Sequence, residues 1–246
     1  MGITTKLDIN ENRVFTASRI FEEYSDEADI ITFAESTKNL CVCIVDVVDS
    51  TKITARLSHK DISKYYSTFL NTVGAIIVKF QGKIVKNIGD SILYYFEDDS
   101  TESQFVRCME CNLAIIQIHA YLNMKTKSQG LPHLDYRISS DYGTVAIAKT
   151  PFMSEDIFGQ PVNVCTKINS LARPNSLVIG SDLYEVVKKL ECYKFEKRSD
   201  FSSGLKNLYP VYSASYDDSK IKIVVAKCIE RMLLQMGTSD FEEVVK

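Results

Sequence analysis

The stretch from His59 to Phe96 restricts the fold more than any other part of this chain. Between His59 and Phe80 the apolar residues Ile62, Tyr65, Tyr66, Phe69, Val73, Ile76, Ile77 and Phe80 recur every three or four positions, the period of an amphipathic helix. Gly82 is expected to end that helix. Directly after it, "KIVKN" and "SILYYF" read as two short strands that turn at Ile88-Gly89-Asp90. Helices alternate with strands and hairpins from here along the chain, so an α+β or mixed α/β sandwich is expected, with helices covering a partly antiparallel sheet.

The other elements fit the same class. "NLCVCIVD" is an apolar strand that opens the main domain near Lys38. Residues 1–37 are polar and acidic, with a helical patch in "SRIFEEYSDEADIITFAES". A second helix is expected from Thr101 to Met124, carrying Phe105, Val106, Met109, Leu113, Ile116 and Tyr121. "LDYRISSDYGTVAIAK" reads as a strand, a turn at Asp141-Tyr142-Gly143 and a second strand. A third helix is expected from Gly159 to Ala172, closed by Pro174. It is followed by the strand "SLVIG", a helix capped by Ser181 or Asp182, and a last strand "YPVYSAS". Residues 38–216 then form one domain, and 217–246 an amphipathic C-terminal helix that docks on its own domain or on a second chain.

Composition excludes several classes. With 29 Lys and Arg against 32 Asp and Glu, a net charge of −3, no general attraction to nucleic acid or to an anionic membrane is expected. No apolar run approaches the roughly 18–20 residues of a membrane-spanning helix. "MGITTKLDINENR" has no apolar signal core, and Lys6 stands where a myristoylation pattern needs Ser or Thr, so a cytoplasmic protein is expected. Seven cysteines scattered among apolar residues suit a reducing compartment, and Cys108-x-x-Cys111 reads as a helix face turned to the core rather than a metal or redox pair.

Two acids interrupt otherwise apolar strands. Asp46 ends "LCVCIV", and Asp90 follows Gly89 at the hairpin, 44 positions later. Carboxylates brought together on adjacent strands repel one another unless a cation sits between them, and an oxygen donor set of this kind suits Mg²⁺ or Mn²⁺. The residues after Asp46, "VVDST", are placed to wrap backbone N–H groups of Ser50 and Thr51 around a phosphate. The plainer alternative is that Asp49 or Ser50 caps the next helix and Asp46 is a solvated strand end.

Together "IVDVVDST", "GKIVKNIGDSILYYF" and "DIFGQPVNVCTKINSLARPNSLVIGS" resemble the catalytic domain of the class III nucleotidyl cyclases, the adenylate and guanylate cyclase family. The likeness runs in order from Lys38 to Tyr212. It implies a ferredoxin-like βαββαβ-type core sheet covered by helices. It implies two Mg²⁺ or Mn²⁺ ions per site held by Asp46, Asp90 and the backbone carbonyl of Val47. Base choice would rest on Lys86 and Asp156, a donor and an acceptor that complement N1 and the 6-amino group of adenine, so ATP is the implied substrate. Guanylate cyclases carry an acid where Lys86 stands. Asn163 matches the residue that orients the ribose, and Lys167 stands where the family has an arginine on the α-phosphate. Because metal residues of one chain face base, ribose and phosphate residues of the other across a two-fold axis, a homodimer is implied.

Three positions depart from the family pattern. Lys167 keeps the charge of the arginine but not its bidentate fork; Arg173 lies further along. Ser203 replaces a phosphate-holding lysine, with Lys206 as the nearest substitute, and Asp49 replaces a glycine. The leading expectation is an adenylate cyclase making 3′,5′-cyclic AMP and pyrophosphate. The alternatives are a cyclase of GTP or a pyrimidine triphosphate, and a cyclase-like nucleotide-binding module with little turnover.

Overall fold

The computed structural model of the chain describes residues 32–98, 102–150, 153–202 and 208–216. The parts of the N-terminal helical patch before residue 32, the helix expected at 217–246, and Ser203 and Lys206 lie outside the described residues. The elements in order are β1 (Thr32–Val47), α1 (Ser50–Thr54), α2 (His59–Lys79), β2 (Lys83–Ile88), β3 (Ser91–Phe96), α3 (Gln104–Gln117) and α4 (His119–Ser128). There follow β4 (Tyr136–Thr150), β5 (Met153–Phe158), α5 (Gln160–Ile168) with a 3₁₀ turn (Asn169–Leu171), β6 (Ser176–Gly180), α6 (Ser181–Val187), β7 (Tyr193–Ser202) and β8 (Leu208–Tyr216). No helix among the described residues is long and apolar enough to cross a membrane.

The strands form one sheet in the order β2-β3-β1-β4-β6-β8-β7, with β5 paired to β4. Its first four strands, β2-β3-β1-β4, are all antiparallel neighbours, and α2 and the α3–α4 pair form the two crossovers. That is the ferredoxin-like βαββαβ arrangement. Beyond it, β6 joins β4 in parallel, and β8 and β7 extend the sheet.

Alternation along β1 divides the core. Cys41, Cys43, Val45 and Val47 face a layer in which Tyr65, Phe69, Val73 and Ile77 of α2 pack with Cys108, Met109 and Ile115 of α3. Each large apolar side chain withdrawn from water here stabilises the fold by roughly 1.5–3 kcal/mol. Leu40, Val42 and Ile44 face the other way, against Leu93, Tyr95, Val145, Ile147, Ile157 and Cys165, under the thinner cover of β5 and α5. Asp46 continues this second face. Cys108 and Cys111 are both buried, in line with a core-facing helix.

Several local expectations are corrected. Thr32–Ser36, read as part of a helical patch, belong to β1, whose register with β4 shifts between Phe33 and Thr37. The C-terminus of α2 uses Gln81, at φ 59, as its left-handed residue, with Gln81 N–H bonded to Val78 O and Gly82 N–H to Ile77 O. Gly82 is needed for space, because a Cβ there would lie 2.8 Å from Ile77 Cγ2. The single helix expected over Thr101–Met124 breaks at Ile118, and Asn123 pins the second piece, α4, by bonds to both backbone groups of Leu134. The third helix stops at Ile168 and tightens into the 3₁₀ turn, where Asn169 bonds Ile44 O and Ser139 Oγ.

The turn expected at Asp141-Tyr142-Gly143 is absent, since β4 runs straight through it. Gly143 is there for packing: a Cβ would lie 2.9 Å from Pro161 Cγ. Asp141 is buried, and it explains why neither Ser181 nor Asp182 caps α6. The N-cap is Gly180, where a Cβ would lie 2.4 Å from Asp141 Oδ1. Asp141 Oδ1 accepts from Leu183 N at 3.4 Å, and Tyr209 Oη accepts from Asp182 N at 3.0 Å, so the helix is capped from strands distant in sequence.

Candidate active site

Strand register assembles the first part of the site. Asp46, at the end of β1, lies opposite Ser91 of β3 on one side and Arg137 of β4 on the other. Ser91 Oγ donates to Asp46 Oδ1 at 2.5 Å, and Arg137 Nη2 donates to Oδ2 at 3.3 Å. Asp90 immediately precedes Ser91, at the hairpin turn where Gly89 has φ 63. Glycine takes that conformation without the strain an L side chain would carry, and space is not the reason, since nothing lies within 4 Å of a Cβ built there. The two acids thus stand on neighbouring strand ends, one residue out of direct register.

Lys86 and Asp156, the pair expected to choose the base, also meet. A β-bulge between Ile84 and Lys86 sets Lys86 opposite Leu93, so its side chain leaves the sheet on the same face as Leu93, Ile44 and Asp46. Without the bulge it would point to the helical layer. The β4–β5 ribbon brings β5 against this hairpin: Lys86 Nζ is 2.5 Å from Asp156 Oδ2, and Tyr95 Oη donates to Glu155 Oε2 at 3.3 Å. Asp156 Oδ1 accepts its own strand's Ile157 N at 2.9 Å, which fixes the carboxylate.

Asn163 and Lys167 lie one turn apart on α5 and are both exposed, while Val164, Cys165 and Ile168 on the other side of the helix are buried. Both lie on the solvent side of the helix. Arg173 is exposed in the segment between the 3₁₀ turn and β6, off α5 altogether. Ser50 and Thr51 begin α1, after Asp49 at φ 54 and ψ 24. That left-handed conformation accounts for a glycine at this position in the family. The Asp49 side chain makes no cap, and its Oδ1 instead pairs with Lys52 Nζ at 2.9 Å.

Asp46, Asp90 and the Val47 carbonyl would offer an ion only hard oxygens, which suit Mg²⁺ or Mn²⁺ better than a softer metal. Arg137 bears on that fit. Its guanidinium supplies the positive charge beside Asp46, yet the contact is long, and Arg137 Nε is buried without a hydrogen-bond partner. Arg137 was not anticipated, because only the β1–β4 register carries it to Asp46.

Residues 32–207 match the family described as Adenylate and Guanylate cyclase catalytic domain. The chain belongs to that family. An adenylate cyclase of Anabaena cylindrica is 27% identical over 165 residues, covering 65% of this chain and 32% of the relative. A cytidylate cyclase of Staphylococcus aureus is 24% identical over 174 residues, covering 65% of this chain and 41% of the relative. This chain therefore spans well under half the length of these curated relatives. The crystal structure of an adenylyl cyclase from P. aeruginosa has the same fold, with a TM-score of 0.68 at 20% identity over 74% of this chain and 96% of that one. Guanylyl cyclase domains are among the other solved structures of this fold. This cyclase-family chain thus has relatives and neighbours named for different bases.

Proposed function

We propose that the chain is an adenylate cyclase that converts ATP to 3′,5′-cyclic AMP and pyrophosphate at the interface of a homodimer. The observation that supports this most is the register that sets Asp46 beside Ser91, the residue after the Gly89-Asp90 turn, on the face where Lys86 meets Asp156. When bound by Asp46, Asp90 and the Val47 carbonyl, two Mg²⁺ or Mn²⁺ ions supply Lewis acidity toward the 3′-hydroxyl and the departing pyrophosphate. The remaining work falls to side chains of the chain itself.

Lys86 donates to adenine N1 and Asp156 accepts from the 6-amino group, so the ion pair between them opens to admit the base. Asn163 orients the ribose, Lys167 neutralises charge growing on the α-phosphate, and the backbone at Ser50 and Thr51 meets the terminal phosphates. Because Asn163 and Lys167 face outward from α5, they serve the site across the dimer, with Asp46 and Asp90 contributed by the other subunit.

A second reading, nucleotide binding with little turnover, is favoured by the exposed acid at Asp49 and by the lysine at 167. One assay separates these. The full chain is incubated with Mn²⁺ and each of the four ribonucleoside triphosphates, and products are identified by mass. Cyclic AMP as the main product supports the proposal, another cyclic nucleotide reassigns the base, and no cyclic product from any of the four favours the binding module.

A further inference from the structure

Two of the chain's 3 histidines converge on one carboxylate outside the site described above. His119 opens α4, and His133 and Asp135 lie on the segment leading into β4. His119 Nε2 is 2.9 Å and His133 Nε2 3.1 Å from Asp135 Oδ1, and the three atoms lie within 4.8 Å of one another. The two rings meet edge to face with centroids 5.3 Å apart.

The cluster is built into the fold. Asn123 ties α4 to this segment, donating to Leu134 O at 2.9 Å and accepting from Leu134 N at 2.8 Å. Asn175 Nδ2 donates to Asp135 Oδ1 at 2.7 Å while Asn175 N donates to Tyr136 O at 2.6 Å. Asn175 does this at φ 57, a left-handed conformation that asparagine tolerates better than most residues.

We propose that His119, His133 and Asp135 form a binding site for a divalent transition-metal ion of the zinc class, separate from the oxygen site at Asp46 and Asp90. Two imidazole nitrogens and one carboxylate oxygen suit Zn²⁺ far better than Mg²⁺. Around a tetrahedral ion with bonds of about 2.0–2.1 Å the ligand atoms stand roughly 3.4 Å apart, so the two contacts on Asp135 open only slightly. Binding needs each Nε2 to carry its lone pair, with the N–H on Nδ1, so the Nε2 contacts to Asp135 and, for His119, to Asn123 Nδ2 at 2.8 Å give way to the ion. A fourth ligand, water, has room in a cleft of about 450 Å³ that His133 and Asp135 line. Val48 N donates to Asp135 O at 2.8 Å, so a bound ion braces the turn that follows Asp46 and Val47.

The test uses the full chain, stripped of metal by a chelator and titrated calorimetrically with Zn²⁺ in excess Mg²⁺. The expected result is one Zn²⁺ per chain, with affinity lowered by more than about 10–100-fold in His133→Ala, at least the loss seen when even a supporting residue is removed. His133 is 63% exposed, so the variant keeps its fold, which an unchanged melting temperature of the metal-free protein verifies. Asp46→Asn is expected to bind Zn²⁺ as the unsubstituted chain does. The proposal is overturned by undiminished binding in His133→Ala, by loss in Asp46→Asn, or by no saturable binding in the unsubstituted chain. Visible absorption of the Co²⁺ form gives a second readout: a tetrahedral spectrum that survives in His133→Ala also overturns it. Neither measurement uses cyclase turnover, so failure here leaves the cyclase reading to its own test.

Discussion

Replacing Asp141 by Asn isolates the energy of one buried carboxyl. Burial pushes the Asp141 carboxyl up from 3.8 to about 7, and the hydrogen bonds from Tyr209 and the backbone only partly offset this. Tyr209 Oη lies 2.9 Å from both carboxyl oxygens, so one hydroxyl hydrogen serves two acceptors when the group is ionised. In the unfolded chain Asp141 ionises near 3.8, whereas in the folded chain it stays protonated up to about 7. Between those values the unfolded state binds fewer protons, so this group's contribution to stability falls as pH rises and levels off above about 7. A displacement of about 3 pH units corresponds to roughly 4 kcal/mol. Asparagine has the same shape and cannot ionise, its Oδ1 can accept from Leu183 N, and its amide can donate to Tyr209 Oη. Urea denaturation of both proteins at several pH values between 4 and 8 gives the difference directly. Asp141→Asn is expected to gain on the parent progressively, by about 4 kcal/mol in all, with other carboxylates cancelling between the two proteins. A difference that does not vary with pH would refute the reasoning.

The other consequences are more local. Asp49→Gly relieves the left-handed conformation at φ 54 and is expected to stabilise the fold by up to about 1 kcal/mol in thermal unfolding; a loss of stability would contradict the strain argument. Lys167→Arg restores a bidentate donor and is expected to raise kcat roughly tenfold in a cyclase assay, and unchanged or lower turnover would remove Lys167 from the phosphate role. Lys86→Ala leaves Asp156, 11% exposed at its side chain, without its cation; about 1–2 kcal/mol of stability and most discrimination between ATP and other triphosphates should be lost together.

What the sequence makes legible here is what depends on neighbours in the chain. The helical period of α2, the hairpin at Gly89-Asp90 and the apolar run of β1 are local patterns, and each corresponds to an element of the structure. Asp46 and Asp90 stand out for the same reason, as acids in strands. Asp141-Tyr142-Gly143 misleads because its composition is that of a turn, whereas its acid is neutralised by burial and its glycine makes room for Pro161. The cap of α6 comes from Asp141 and Tyr209, and the cation beside Asp46 is Arg137; no spacing rule connects positions so far apart. β5, "MSEDIF", is polar and short, with no periodic signal. β7 carries one in the alternation of Tyr193 and Phe195 with Lys194 and Glu196, where two-residue periodicity was available to be read.

Sharing of divalent cations between residues 46 and 90 is the claim on which the proposed chemistry rests. Electron paramagnetic resonance of Mn²⁺ bound to the full chain with an unreactive ATP analogue tests it directly, comparing the parent with Asp46→Asn, Asp90→Asn and the double variant. Each single substitution is expected to release nucleotide-dependent Mn²⁺, and the double variant to lose little more than the weaker single one, as for two ligands of common ions. Retention of the full Mn²⁺ signal in either single variant, or strictly independent losses, would contradict the account.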